Sequence, residues 1–231
     1  MVNKKSMPEI LEDIKNHYME MRNIVFKQLE ILETCLSGKS FSRELLAELE
    51  ANEKKLDDFE VSLDHEIINT MALHQPTATD LRFLITILRM TNRLERVGDL
   101  ILNIVHCLER PGKALPDKYL EIASTMLVIA RNMVTKALES FDNKDKDCAI
   151  WTIKNDEVVD DLFHKSVKNA VNKLNVDNEV KEMIGELLNM NNVVSAIERI
   201  ADHATNMAEA SVYYLKGIDL RHDHEAGSKE I

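Results

Sequence analysis

Glycine (6) and proline (4) are scarce in this chain of 231 residues, and aromatic residues make up only 5%. That scarcity speaks against the turn-dense all-β classes and for long helices. Cysteine is reduced to Cys35, Cys107 and Cys148, with no CxxC and no Cys/His spacing. An odd, scattered set excludes a disulfide framework or a zinc ribbon, and points to a reducing cytoplasm. The first residues hold no apolar run of signal-peptide length, and no stretch is long and uncharged enough to span a bilayer. A cytoplasmic chain without membrane insertion is the expectation. Positive charge is also short: the formal net charge is −11. Nucleic acid and anionic lipid surfaces are therefore poor partners, whereas a bound cation or a basic protein surface suits the balance.

What is present is helical periodicity. Ile14, Met21, Ile24, Val25, Leu29, Leu32 and Leu36 recur at helical spacing in a first helix that Gly38 ends. Residues 1–6 read as a frayed terminus. Ser40 or Ser42 caps a second helix that stops at Gln75-Pro76. Thr77 or Thr79 caps a third, which runs to about Glu109, with Asp80 in its first turn favouring the dipole. Pro111-Gly112 and Pro116 then break the chain. A fourth helix is expected over 117–141, a fifth from the polar turn at Asn143–Asp147 to about Leu174, and a sixth from the turn at Asn175–Asn178 to Lys216-Gly217. Nothing reads as a strand.

One stretch organises these helices. Glu95-Arg96-Val97-Gly98-Asp99, followed by Asn103, is written again as Glu198-Arg199-Ile200-Ala201-Asp202, followed by Asn206, at a constant offset of 103 residues. Leu81/Ile184, Leu84/Leu187, Leu94/Ile197 and Asn69/Asn172 keep the same offset, while Arg22-Asn23 and Arg131-Asn132 stand 109 apart. A duplication with an insertion in one loop explains both offsets. The fold class expected is all-α: six helices as two tandem antiparallel three-helix bundles, over 7–110 and 117–217, related by a pseudo-twofold, with a tail over 218–231.

The duplication kept its acidic pairs. On a helical wheel at about 100° per residue, Asp99 lies near 40° from Glu95, and Leu84, Leu88 and Leu102 within about 20° of it. Leu187 and Val194 stand likewise to Glu198. The second helix of each half carries another pair: Glu53 and Asp57 match Asp156 and Asp160, again at 103. In the first half the stripe continues through Glu60 and Asp64, whose counterparts are Phe163 and Val167. If the second and third helices of a half face each other, four carboxylates converge. Like charges on a partly apolar stripe need a counter-charge. Arg96 and Arg199 could supply it, or metal ions ligated by oxygen could. The plainer reading is a solvated acidic face with surface salt bridges.

Gln75-Pro76-x-Ala78-x-Asp80-Leu81-Arg82 together with Leu94–Asp99 resembles the signature of the PhoU family of phosphate-signalling regulators, and Ile197–Met207 resembles the family's second-repeat copy. The likeness covers nearly the whole chain. It implies a cytoplasmic protein of two three-helix repeats, often a homodimer. Such a protein acts with the ATPase of the phosphate ABC transporter and with a phosphate-sensing histidine kinase. It represses the phosphate-starvation response and restrains uptake. It also implies multinuclear metal, iron or else zinc, magnesium, manganese or nickel, at Glu53, Asp57, Glu95 and Asp99 and at Asp156, Asp160, Glu198 and Asp202. Asn103 and Asn206 are candidate outer groups. Asp80-Leu81-Arg82 has no counterpart at Met183-Ile184-Gly185, so the halves are not expected to bind alike.

Three alternatives stand beside the adaptor. A carboxylate-bridged di-iron enzyme wants Glu-x-x-His on two helices, but Gly98 and Ala201 occupy the histidine positions. A helical scaffold with solvated stripes would bind no metal. A metal-binding bundle serving another phosphate carrier shares every feature above. No nucleophile elbow, P-loop or dinucleotide fingerprint is present, so no catalytic residue is assigned. His65, His74, His106 and His164 lack ligand spacing and read as core-edge or surface residues, and His222 and His224 as tail. His203 adjoins Asp202, but Leu100 takes the equivalent place. Trp151 and the eleven methionines read as packing residues.

Overall fold

The computed structural model describes residues 5–37, 42–109, 116–171 and 180–220, with side chains omitted for 169–171 and 180–186. The stops at Gly38 and Pro111-Gly112, the turn at Asn175–Asn178, Asn172 and the tail histidines lie outside these residues, as do the side chains of Met183 and Ile184. Six helices are present and no strand among the described residues: α1 Met7–Leu36, α2 Arg43–His74, α3 Ala78–Glu109, α4 Asp117–Asp142, α5 Lys146–Val171 and α6 Val180–Lys216.

The helix starts follow local chemistry. Ser6 is no frayed residue: its backbone N–H and its hydroxyl both donate to Glu9 Oε2 at 2.7 Å, fixing the entry to α1. Ser42 Oγ accepts from the backbone N–H of Leu45 at the head of α2. Between α2 and α3 the chain turns within three residues, with Gln75 left-handed at φ 47°. Thr77 Oγ1 then accepts from the Asp80 N–H, while Asp80 Oδ2 accepts from the Thr77 N–H and hydroxyl. This reciprocal cap uses the Asp80 that the sequence places in the first turn. Asp145 caps α5 by accepting from the N–H groups of Asp147 and Cys148.

The packing has two layers. α2, α3, α6 and α5 lie side by side in that order, and α1 and α4 back them. α1 packs on α2 and α3, and α4 on α5 and α6; the halves meet where α3 lies against α6 and α1 against α4. Each pairing between halves joins equivalent helices, in keeping with a pseudo-twofold that passes between them. Inside, Tyr18, Phe83, Phe141 and Tyr214, one from each of α1, α3, α4 and α6, form a chain of ring contacts with centroids 5.3–5.9 Å apart. Four of the few aromatics thus knot the halves together, and rings at this spacing add specific geometry to burial. No helix among the described residues is long and apolar enough to cross a membrane.

Candidate acidic metal sites

Glu95 and Asp99 face α2, where Asp57 and Glu60 act on Glu95 and Glu53 meets Asp99, and α2 can come close because of Gly98. A Cβ there would stand 2.3 Å from Leu56 Cδ1 and 3.0 Å from Gln28 Oε1. The small residue of the motif is therefore a packing residue, and the close approach brings the two acidic stripes together. Ala201, its counterpart on α6, is also buried.

In the first half the four predicted residues converge. Glu53 is raised by burial, then by the charges of Asp57 and Asp99 and by a hydrogen bond with Asp99. Glu95 is only 8% exposed, and burial together with Asp99 raises its pKa to about 7, against the pull of Arg96. Glu60 and Asp57 act on it as well. Arg96 Nε stands 3.3 Å from Glu95 Oε2, and its NH1 3.3 Å from Asp99 Oδ2. The arginine is half-exposed, and Glu95 Oε2 remains buried without a hydrogen-bond partner. The counter-charge expected of Arg96 is present but incomplete. Asn92, not singled out in the sequence, donates to Glu60 Oε1 at 2.9 Å.

The second half is tighter. One carboxylate oxygen each from Asp160, Glu198 and Asp202 lie within 4.8 Å of one another. Among the described residues no three carboxylates of the first half close to that spacing. Burial, Glu198, Asp156 and Asp160 raise Asp202 to about 6, and burial and Asp160 raise Glu198. Asp156 is held by α6, because Thr205 Oγ1 donates to its Oδ1 at 3.0 Å. Thr205 had no signal in the duplication: its counterpart is Leu102. His164, which the sequence assigns to the surface, is exposed but close enough to ease the charge on Glu198.

The proposed outer groups do not touch the carboxylates. Asn103 is exposed, and Asn206 Nδ2 donates to the backbone carbonyl of Asp202 at 2.6 Å. His203 turns away from Asp202 toward α3, where burial and the arginines 93, 199 and 96 lower it to about 4. It joins neither acidic cluster.

In both clusters burial and neighbouring carboxylates raise the acidic groups, so added positive charge would be favourable there, and Arg96 meets Glu95 Oε2 without hydrogen-bonding it. An all-carboxylate donor set suits hard or borderline cations, which take mono- or bidentate oxygens and compete with protons for them. The residues therefore fit a metal.

Comparison with known proteins follows the same lines. The PhoU domain family matches twice, over residues 18–108 and 123–211. A Burkholderia protein named phosphate-specific transport system accessory protein PhoU homolog is 31% identical over 215 residues, covering 92% of this chain and 89% of its own length. The Escherichia coli K12 protein named phosphate-specific transport system accessory protein PhoU is 27% identical over 219 residues, covering 92% and 86%. The crystal structure of PhoU from Pseudomonas aeruginosa superposes with a TM-score of 0.81 at 26% identity, over 92% of this chain and 100% of that one. A phosphate transport system regulatory protein PhoU from Streptococcus pneumoniae shares the fold, with a TM-score of 0.79 at 19% identity.

Proposed function

The chain belongs to the PhoU family, and from that premise we propose that it is an accessory regulator of a phosphate-specific transport system. It is a regulatory protein and not an enzyme, as its family is. The di-iron alternative has no foothold: Leu56 and Gln28 fill the space at Gly98 where that chemistry needs histidine.

In this reading the protein acts in the cytoplasm, as a homodimer, as an adaptor. It contacts the ATPase of the phosphate transporter and the sensor histidine kinase, represses the starvation response when phosphate is plentiful, and restrains uptake. The observation that supports it most is the doubled motif within the two-layer packing: the PhoU domain family matches twice, over residues 18–108 and 123–211, and each half retains its carboxylate cluster. The net charge of −11 suits contact with basic surfaces on protein partners.

The second part of the proposal is metal. Glu53, Asp57, Glu95 and Asp99 would hold it in the first half, and Asp156, Asp160, Glu198 and Asp202 in the second. Bound metal would supply positive charge that locks α2 to α3 and α5 to α6, so its role is structural or signalling rather than catalytic. A strain lacking the protein tests the regulatory reading. Starvation genes expressed in phosphate-rich medium, and silenced again by the restored gene, support it. Normal repression in the deletion strain contradicts it.

A further inference from the structure

Between the two acidic clusters runs a seam of opposite sign. α3 and α6 pack antiparallel in a register fixed by Thr86 Oγ1 on the Ala210 carbonyl at 3.4 Å and by Asn189 Nδ2 on the Cys107 carbonyl at 3.2 Å. That register brings Arg93 level with His203 and sets Arg96 and Arg199 about the pseudo-twofold. On the α3 wheel Arg89, Arg93 and Arg96 fall within about 60° of one another, on the side away from α2.

These charges are unevenly matched. Arg89 pairs with Asp219 at 3.6 Å and lies over the Tyr213 ring at 4.7 Å. Arg96 pairs with Glu95 and Asp99. Arg93 and Arg199 form no ion pair among the described residues, although Arg199 lies within electrostatic reach of Glu198 and Asp202. Beside them both ring nitrogens of His203 are buried without a hydrogen-bond partner. Such a ring ordinarily finds a partner, and an orphaned one calls for an occupant. A narrow cleft of about 50 Å³ opens further along the same seam, lined by Arg89, Arg93, Asn206, Glu209, Ala210 and Asp219, so that Arg93 stands between this cleft and the pair Arg199 and His203.

We propose that this seam is a binding site for a small phosphate-type oxyanion, held by Arg93 and Arg199 with a ring nitrogen of His203 as a third donor. Two unmatched guanidinium groups offset the two charges of hydrogenphosphate, and their planar N–H forks suit its oxygens. A small anion fits better than an extended acidic segment, because acidic clusters flank the seam on both sides and would repel a longer chain of negative charge. Bound there, the anion bridges α3 and α6 and so joins the two halves. The site stands whether or not the acidic clusters hold metal.

The test is calorimetric titration of inorganic phosphate into the full-length protein, as purified and after chelator treatment, with chloride at matched ionic strength as control. Binding is expected in both forms. The affinity should fall about tenfold or more in Arg93→Gln and in Arg199→Gln, as loss of a charge-assisted bond implies. It should not change in Arg131→Gln, which removes the same charge where α1 meets α4. Because a variant can lose its fold, the His203 ring signals of the unaltered protein are followed by NMR; phosphate should shift them and chloride should not. Absence of phosphate binding in the chelated protein, or equal affinity in a folded Arg93→Gln, overturns the site. His203 signals that ignore phosphate overturn it too.

Discussion

Arg22 on α1 and Asp142 on α4 form an ion pair that joins the two halves, both side chains being less than a fifth exposed. The duplication writes the same pair again: 109 residues after Arg22 stands Arg131, and Asp142 is the counterpart of Glu33, which Arg131 meets at 2.5 Å. The two copies differ in burial, since Arg131 and Glu33 are 36% and 43% exposed. Burial pushes Asp142 up even with Arg22 beside it, so the carboxylate depends on its partner. Arg22→Ala should therefore cost about 2–4 kcal/mol, as breaking a largely buried pair does. Arg131→Ala should cost less than about 1 kcal/mol, as exposed pairs do. Urea unfolding of both variants checks the contrast; equal costs contradict it.

Gly98 predicts a packing defect. Its added Cβ would displace Leu56, which is 1% exposed in the core. Gly98→Ala should destabilise by about 1–3 kcal/mol, as overpacking does. The reverse change at the second copy, Ala201→Gly, loses helix propensity of about 1 kcal/mol and opens space instead. A Gly98→Ala protein as stable as the parent would show that α2 can shift outward freely, and the first acidic cluster would then have no fixed geometry.

The raised carboxylates set a pH dependence for the metal-free protein. Glu95 titrates near 7 and Asp202 near 6 in the folded chain, above their ordinary values of 4.5 and 3.8. Folding therefore favours their protonated forms. That stabilisation is complete below the ordinary values and is lost as pH rises through the folded ones. Metal-free protein should melt lower at pH 8 than at pH 5.5. Glu95→Gln should raise stability at pH 8 by up to about 3 kcal/mol, the linkage equivalent of its shift, and should flatten the profile. A melting temperature independent of pH between 5 and 8 would contradict the assignment.

Thr205 separates the two clusters experimentally. It steadies Asp156, and its first-half counterpart Leu102 can steady nothing. Thr205→Val should weaken manganese(II) binding at the second cluster by about tenfold, the usual effect of losing a group that orients a ligand. Binding at the first cluster should not change. Manganese titration of Thr205→Val in a background with Glu95 and Asp99 converted to amides reads the second cluster alone.

Much of this architecture was legible before any coordinates. Apolar periodicity and caps such as Thr77 and Asp80 gave the helices, because both signals are local. The constant offset gave the duplication and the eight carboxylates, since a repeated pair carries information that a single Glu-x-x-x-Asp lacks. What one helix's periodicity does not contain is the identity of its neighbour. Asp202 and His203 are adjacent, yet their directions differ by about 100°, so one faces α5 and the other α3. The tether from Thr205, the aromatic knot around Phe141 and the basic seam are contacts across helices with no period of their own. The packing role of Gly98 was hidden for the same reason: a small residue in a motif looks alike whether it admits a ligand or a leucine.

Metal content is the most direct measure of whether the doubled carboxylates are binding sites. Untagged protein purified without chelators would be analysed by plasma mass spectrometry beside a variant carrying Glu95→Gln, Asp99→Asn, Glu198→Gln and Asp202→Asn. Stoichiometric metal in the parent, absent from the variant, is the predicted result. Metal-free parent and variant of equal stability would contradict it, and would reduce the doubled carboxylates to a solvated or partner-facing surface.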